Sequence, residues 1–541
     1  MNSVAADTNR QFRVPQESGK ALIVPPLERL YGSTHALDPE TALSGLEFCG
    51  QPISLVRRQA REEAVDLARR FTGQYRAVPT QLSAAGAAAP ILLSGHQPEL
   101  FHAGVWFKNF LLSQLAAGSG SIAINFLVDN DLCRSTAIRV PTRTADGTVM
   151  ALSIPFDAPR DSIPWELRML NDAECWRQFP TVVRKTLLSE IDRPLIGDLW
   201  HAASDSVART GRIGFAIAEA RHRLEAELGL QTLEVPLSQL VSTRAFARFS
   251  VQLLSELPRL QTIYNAQREI YRAAHHIRSQ AHPVPVLEQQ HGWLEAPWWV
   301  YRSEAPKRQR LWVKLLDNSL MLSDRAGWQT VIEGRLECDQ AAAQWLEILS
   351  DGVCLRPRAL LTTMYLRLIV GDTFIHGIGG AKYDQLTDAI IQEFFGVVPP
   401  EVILASATLR LPMDAAEPVA NLQKQREKLR HIRYHAESAV GTKVREADAP
   451  EAATLADRKR ELLANIPPRG EKWDWHHQIT SVNRRLAELA DLQTTATKQM
   501  VELAVADERQ RRILASREHS FCLFNRDFIA NELHRMTHSM G

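Results

Sequence analysis

The chain has 541 residues, 45% hydrophobic and 23% charged, the make-up of a soluble globular protein with enough apolar residues for a sizeable core. Lys and Arg number 63 against 62 Asp and Glu, so no global field draws the chain to nucleic acid or to an anionic membrane, and neither is expected as a partner. At about 100–200 residues per domain, two to four domains are expected.

The opening stretch MNSVAADTNRQFRVPQ lacks the basic start and apolar run of a signal peptide, and no uncharged run in the chain reaches bilayer length, which predicts a cytoplasmic protein. Cys49, Cys133, Cys175, Cys338, Cys354 and Cys522 form no CxxC pair and have no His at zinc-finger spacing. They read as reduced thiols, mostly core filler. Residues 1–90 are expected to pack on the core as an N-terminal region, with a helix over 56–75 and a flexible loop at 83–90.

The segment ILLSGHQPELFHAGVWFKNFLLSQLAAGSGSIAINFLVDND, residues 91–131, reads as strand, polar loop, helix, strand. Ile91–Ser94 suits a buried parallel strand, Val105–Ala117 a helix closed by Gly118, and Ile122–Val128 the next strand. That is the size of a βαβ unit, and 91–150 is expected to form the first half of a parallel sheet core. Residues 151–353 alternate helical stretches with Pro- and Trp-rich loops such as LEAPWWVYR (294–302) and read as an inserted connecting lobe. Over 354–414 the alternation resumes with ALLTTMYLRLIV (helix), TFIH (strand), the loop GIGG, YDQLTDAIIQEFF (helix) and EVILASATLRL (strand), the second half of the same sheet.

Over 415–515, Ile479, Val482, Leu486, Leu489, Gln493, Ala496, Met500 and Leu503 recur at steps of three and four, a heptad seam with Gln493 as a register device. Leu422, Leu429 and Ala436 are seven apart, as are Leu455 and Leu462, and NIPPRGEKW (465–473) offers a turn. An antiparallel helical coiled-coil hairpin is expected, its long arm about 40 residues and roughly 60 Å in length, which either protrudes or forms a homodimer. Residues 516–541 are expected to return to the core.

Parallel sheets bind ligands beyond the carboxyl ends of their strands, where GHQPELFHAG (95–104) and DNDLCR (129–134) fall. A helix start favours an anion, so Gly95, His96, Gln97, His102 and Gly104 are candidates for phosphate contact, with cap or carbonyl contact as the alternative for the histidines. Lys108 opposes the helix dipole and suits phosphate better than stability. Asp129 and Asp131 are either turn residues or hold a substrate amine, ribose or Mg2+. Gly377, Gly379 and Gly380, flanked by His376, Lys382 and Tyr383, serve a tight turn or a close ligand approach. Arg356 and Arg358 are a solvated pair or a buried clamp on carboxylate or phosphate. GxGxxG and GxxxxGK[ST] are both missing from the loop, no metal-ligand cluster stands out, and Cys354 reads as a buried structural thiol.

The tetrapeptide His102, Ala103, Gly104, Val105 resembles the H-x-G-H loop of nucleotidyltransferases and class I aminoacyl-tRNA synthetases, without its second histidine. In combination, LSGHQPELFHAGVWFKN, FLVDND, CLRPRALLTT and HGIGGAKYDQLT resemble, in order, the T-G-Q-Q-x-x-L-F-T-G-P, E-D-H-D, L-R-P and G-G-x-x-E-x-x-Y blocks of the cysteine-adding ligases of bacillithiol biosynthesis, the BshC family. The resemblance covers most of 91–131 and 354–541. It departs from the family at His96 and His102, which replace Gln and Thr, and at Val128 and Asn130 around Asp129 and Asp131.

The resemblance implies an α/β fold: a Rossmann-like parallel sheet core, an inserted connecting lobe and a C-terminal antiparallel α-helical coiled coil. It also implies a carbon–nitrogen ligase that uses ATP or ADP with Mg2+ to join cysteine or a similar amino acid to an amino-sugar conjugate. In such a site His102, Lys108, Asp129 and Asp131 are the expected catalytic group, and amide formation needs a carboxylate activated as an adenylate or acyl phosphate. Two other readings stay open: a non-catalytic coiled-coil scaffold or binding protein on the same fold, and an RNA-contacting synthetase relative, which would need a basic stripe.

Overall fold

The computed structural model describes residues 12–27, 29, 43, 45–84, 86, 88–159, 161–277, 284–413, 427, 430, 434–435, 437, 444–468, 472–489 and 495–538, the side chains of 84, 495–501, 503 and 504 excepted. It is a mixed α/β structure with many helices and a largely parallel sheet. The chain divides into one unit of residues 1–142, 151–412 and 517–541 and another of 143–150 and 413–516.

The first unit opens with strand β1 (Lys20–Val24), helix α1 (Ile53–Gly73), strand β2 (Ile91–His96), helix α2 (Ala103–Ser119) and strand β3 (Ile122–Leu127). Helix α2 is buried on nearly every side, as the apolar run Phe110–Leu112 and Trp106 dictate. It ends two residues later than its sequence suggests: Gly118 stays helical, and Gly120, at φ 65°, takes the left-handed cap with its N–H on the Ala116 carbonyl. The chain then passes through helices Ala173–Thr186 and Ile196–Thr210 and α3 (Ile213–Glu227) to the short strand β4 (Leu233–Pro236) and α4 (Arg244–Ser255).

Next come β5 (Trp293–Arg302), β6 (Ala305–Leu315), β7 (Ser319–Ser323), β8 (Gln329–Glu333), helix Cys338–Ser350 and β9 (Val353–Pro357). A helix Ala359–Tyr365 runs on as a π turn, Leu366–Val370, before β10 (Thr373–His376), α5 (Ile378–Phe395) and β11 (Val402–Thr408).

The main sheet has the order β1-β11-β10-β2-β3-β4. All its pairs are parallel except β1 on β11, where Lys20 faces Thr408. From β2 the chain steps outward through β3 to β4, then returns to the other side of β2 for β10 and β11. The strand order therefore reverses between β2 and β10. Strand residues Ile91, Leu93, Ile122, Ile124, Phe126, Leu233 and Val235 share one core cluster with Ala60, Ala64, Val65 and Ala68 of α1. The alanines, spaced four apart, let α1 lie close on the sheet, and each large strand residue so buried contributes about 1.5–3 kcal/mol.

Residues 151–353 do more than connect. They supply β4 to the parallel sheet, and with β9 they build an antiparallel sheet in the order β8-β7-β6-β5-β9. The stretch 294–302, which reads as a loop, is within β5. Its Pro297 sits where the β5–β6 register shifts between Ala296 and Trp299, a position that spares proline a ladder bond. The cysteine expectation also needs correction: Cys49 and Cys338, with Cα atoms 5.5 Å apart, are paired in a disulfide, while Cys133, Cys175, Cys354 and Cys522 remain thiols.

In the second unit α6 (Ala449–Ala464) and α7 (Trp473–Leu489) pack antiparallel, followed by α8 (Thr495–Leu514). Trp475 Nε1, near the start of α7, donates to the Leu462 carbonyl near the end of α6 at 2.7 Å. Arg485, near the end of α7, meets Glu451, near the start of α6, at 2.7 Å. Ala452, Leu462, Val482, Leu486 and Ala487 form the packed face, with Leu455, Ile479 and Leu489 beside it. Gln493, Leu422, Leu429 and Ala436, and the side chains of Ala496, Met500 and Leu503, lie outside the described residues. The loop 143–150 joins this unit through the Val149 N–H on Gln510 at 2.8 Å. Helix α9 (Arg526–His538) packs back on α2 in the first unit. Among the described residues, no helix is long and apolar enough to cross a membrane.

The start of α2 depends on one missing side chain. A Cβ on Gly104 would stand 2.2 Å from the Ala407 carbonyl oxygen of β11, whereas one on Gly377 would meet nothing within 4 Å. Gly104→Ala is therefore expected to cost about 1–3 kcal/mol in a urea titration, and Gly377→Ala is expected to hold the wild-type midpoint. Equal midpoints in the two variants would show that α2 can back away from β11.

Candidate functional site

Both helices that follow the reversal point start beyond the carboxyl ends of their strands, α2 after the loop 97–102 that leaves β2 and α5 after the single residue Gly377 that leaves β10. His102 is the N-cap of α2: its Nδ1 accepts from the Gly104 N–H at 3.1 Å. Burial pushes its pKa down to about 4, with Glu518 pulling the other way, so near neutral pH the ring is uncharged. With Nδ1 accepting, the ring proton sits on Nε2. That Nε2 lies 3.6 Å from Glu518 Oε2 and 3.5 Å from Arg517 Nη2, and Glu518 in turn pairs with Arg517 Nε at 3.2 Å, so both donors face one carboxylate. Arg517 also donates to Thr408 Oγ1 at 3.4 Å.

The segment carrying Arg517 and Glu518 is laid along the loop by a bridge from Ser520 to His102 and by the Phe521 N–H on the Phe101 carbonyl at 2.9 Å. Nothing in the local sequence of either segment announces this pairing.

Helix α5 starts differently. Its N-cap is Gly377, which has no side chain to offer its first N–H groups. Gly379 and Gly380, which read as loop, belong to the first turn of α5, and a Cβ on Gly380 would stand 2.4 Å from His376 Nδ1. His376 Nε2 lies 2.7 Å from Asp384 Oδ2, at angles that are not those of a hydrogen bond. Lys382 is exposed and Tyr383 packs on the core.

The other candidates are engaged by protein groups. His96 is half-buried, its ring edge-on to Phe101 and its Nδ1 3.2 Å from the Gln97 carbonyl. Burial, with Lys108 second, pushes its pKa down to about 3. Lys108 donates to the Gly95 carbonyl at 2.8 Å, and burial, then Arg221, lowers it to about 8. Asp131 accepts from Gln97 at 3.0 Å, from its neighbour's N–H at 2.8 Å and from Arg308 at 3.1 Å. Asp129 accepts the Ser238 N–H at 2.9 Å and the Ser238 hydroxyl. Among the described residues, no hydrogen bond or ion pair joins His102 to either aspartate. Arg356 makes a two-pronged contact with Glu166 at 2.8 and 2.9 Å, and Arg358 meets Glu295 at 2.6 Å. The two arginines are thus buried carboxylate clamps, not a solvated pair. Arg358 and Arg308 both lie over the ring of Trp299, at 4.2 and 4.9 Å from its centroid.

A metal candidate appears elsewhere in the first unit. His222, Glu225 and Glu234 are fully buried with ligand atoms within 4.8 Å of one another. Arg221 already bonds both glutamates at 2.5 Å, and the two nitrogens of His222 face Tyr75 Oη at 2.6 Å and Thr232. A guanidinium therefore stands where a cation would have to go, and the donor set does not fit a metal. Burial pushes Cys133 and Cys354 up to about 11, so neither thiol is primed as a nucleophile.

Burial, then the Glu166 charge, raises the Asp129 carboxyl to about 7. Its folded form holds a proton that the unfolded chain releases near pH 3.9. The associated stability is full below that pH and is lost as pH rises through about 7. Asp129→Asn keeps an acceptor and a donor for Ser238, so between about pH 4 and 7 its melting temperature should fall less steeply than that of wild type. Parallel slopes in a calorimetric pH series would show that Asp129 titrates as an ordinary carboxyl.

No protein-family model matches the chain, and no curated protein matches it.

Proposed function

We propose that the chain is a nucleotide-dependent carbon–nitrogen ligase of the cytoplasm, related to the BshC family, that adds an amino acid such as cysteine to an amino-sugar conjugate. In this reading the parallel sheet is a Rossmann-like core, the α6–α7 hairpin belongs to a coiled coil through which two copies associate, and ATP or ADP with Mg2+ binds at the reversal point. The observation that carries the reading is the pair of helix starts at the carboxyl ends of β2 and β10, one capped by His102 and the other without a side-chain cap. Free N–H groups of this kind, at this place in a sheet, suit phosphate.

ATP supplies the activation of the carboxylate. The residues of this chain have the remaining tasks. The His102 Nε2–H and the Arg517 guanidinium lie side by side, both beside the Glu518 carboxylate, and in this reading a phosphate or carboxylate oxygen takes the place of Glu518 between them. Neutral His96 and the Lys108 bond to Gly95 hold the loop in shape. The raised thiols argue for direct attack by an amine, without a covalent enzyme intermediate.

The scaffold reading keeps one specific support: each oxygen of Asp129 and of Asp131 already accepts from a protein donor, so an amine or Mg2+ would have to share these carboxylates with the fold.

One substitution separates the roles of His102. His102→Asn retains a good helix cap and withdraws the Nε2 donor, so nucleotide binding should weaken by about 1–3 kcal/mol with little change in melting temperature. His102→Ala should lose the same affinity and, in addition, about 1 kcal/mol of stability. Titration calorimetry with ATP and Mg2+ reads the first quantity and thermal melting the second. Wild-type affinity in the Asn variant, or no ATP binding by wild type, removes the phosphate site.

A further inference from the structure

A cavity of about 990 Å³ lies in the first unit between α1 and the segment Ser238–Arg248 that follows β4. Its size is at the upper end of ordinary small-molecule pockets, about 300–1,000 Å³, but its lining is unusual for one. Only Leu67 and Ala245 are apolar; the rest are charged, hydroxyl or amide side chains.

The charges are opposed. Glu62, Asp66 and Arg70 project from α1 at successive steps of four, on one face, and Arg244 stands on the facing segment. Asp66 and Arg70, one turn apart, are spaced to pair with each other, yet Asp66 has its only ion-pair contact among the described residues with Arg69, at 3.8 Å. Glu62 and Arg70 have no ion-pair partner among the described residues. Arg244 reaches Asp339 only at 3.7 Å. By contrast Arg248 is held by Asp339 and Gln59, and Glu63 caps the Ala245 N–H at 3.1 Å. The pocket thus keeps both a carboxylate and a guanidinium uncommitted across a hydrophilic space.

Few of the lining side chains are themselves apolar, and a pure cation or a pure anion meets opposing charges as well as matching ones. We propose that this cavity binds a small hydrophilic zwitterion of amino-acid or dipeptide size, its ammonium on Glu62 and Asp66 and its carboxylate on Arg70 and Arg244. The site adjoins the strand ends directly: Ser238, on the cavity wall, holds Asp129 through its N–H and its hydroxyl. This deepens the ligase reading and rests on it for the meaning of the ligand, because the zwitterion would be the amino-acid substrate, held one layer behind Asp129.

The test uses the full chain, with the twenty protein amino acids and Gly-Gly as zwitterionic probes, spermidine as a cation and citrate as an anion, each titrated to about 10 mM while the melting temperature is followed. At least one zwitterion is expected to raise it saturably, and neither spermidine nor citrate is. Glu62→Gln and Arg70→Gln are each expected to weaken that binding about tenfold or more, the loss of one charge-assisted bond. Both side chains are exposed and unpaired, so the free variants should melt with wild type and a folding defect is not confused with lost binding. No response to any zwitterion, a response to spermidine or citrate alone, or zwitterion binding that survives both substitutions overturns the proposal. ATP binding is measured on the same samples: if it fails while the zwitterion binds, the ligase reading falls and the pocket stands, and the reverse result separates them the other way.

Discussion

The carboxylate of Asp372 holds the sheet together at its point of reversal. It accepts Arg57 at 2.6 Å, Arg61 at 2.8 Å and the Ile91 N–H at 2.8 Å, while its own N–H donates to the Ile91 carbonyl at 2.9 Å. Arg57 continues to the Leu368 carbonyl and Arg61 to Ala89. One side chain thereby fixes the start of β10 beside the start of β2 and seats α1 across both. Burying such a carboxylate is costly unless its lone pairs are filled, and here two guanidiniums and a peptide N–H fill them. The opposite ends of the same strands, where the candidate site lies, inherit their spacing from this clamp.

The chemistry of that far end is set more by burial than by charge. Burial is the largest cause of the shifts at His96, His102, Lys108 and Asp129 alike, and each shift moves its group toward the neutral form. The arginines keep their charge and settle on internal carboxylates, Arg356 on Glu166 and Arg358 on Glu295. The result is a strand end with few free charges, facing a pocket behind Ser238 that has several. Neutral donors of fixed tautomer suit a phosphate or carboxylate oxygen, and unpaired surface charges suit a ligand that brings its own counter-charges.

Local pattern was enough to read the strands β2, β3, β10 and β11 and their helices, because a short apolar run followed by a helix start is written in adjacent residues. It placed His102, Gly104, His376 and Gly377 at the strand ends for the same reason. Strand β4 is four residues between helices and offers no period to detect; β5 hides behind Pro297; β1 lies in a Pro- and Gly-punctuated stretch. The partners of the site residues were illegible for a different reason. Arg517 reaches His102 across 415 positions, Ser238 reaches Asp129 across 109, and Glu166 reaches Arg356 across 190. Composition and spacing hold no record of such pairings. The helix over 56–75 was legible, but the use of its Glu62, Asp66 and Arg70 was not, because only the tertiary fold gives that face a wall opposite.

The threading of the first unit has a kinetic side. Its pieces are residues 1–142, 151–412 and 517–541, with most of the second unit, 413–516, falling between the last two. During synthesis β2 waits for β10, 281 positions later, before Ile91 meets Asp372, and the loop around His102 waits until Arg517–Phe521 has emerged. Loop-closure entropy must be met before these contacts return anything, and parallel pairing at such separation is slow. The second unit, whose α6 and α7 are neighbours in the chain, can form while the sheet it interrupts is still incomplete. The strand-end site is thus among the last parts of the molecule to exist, and the nascent chain passes through a long interval with a finished helical pair and an unfinished sheet.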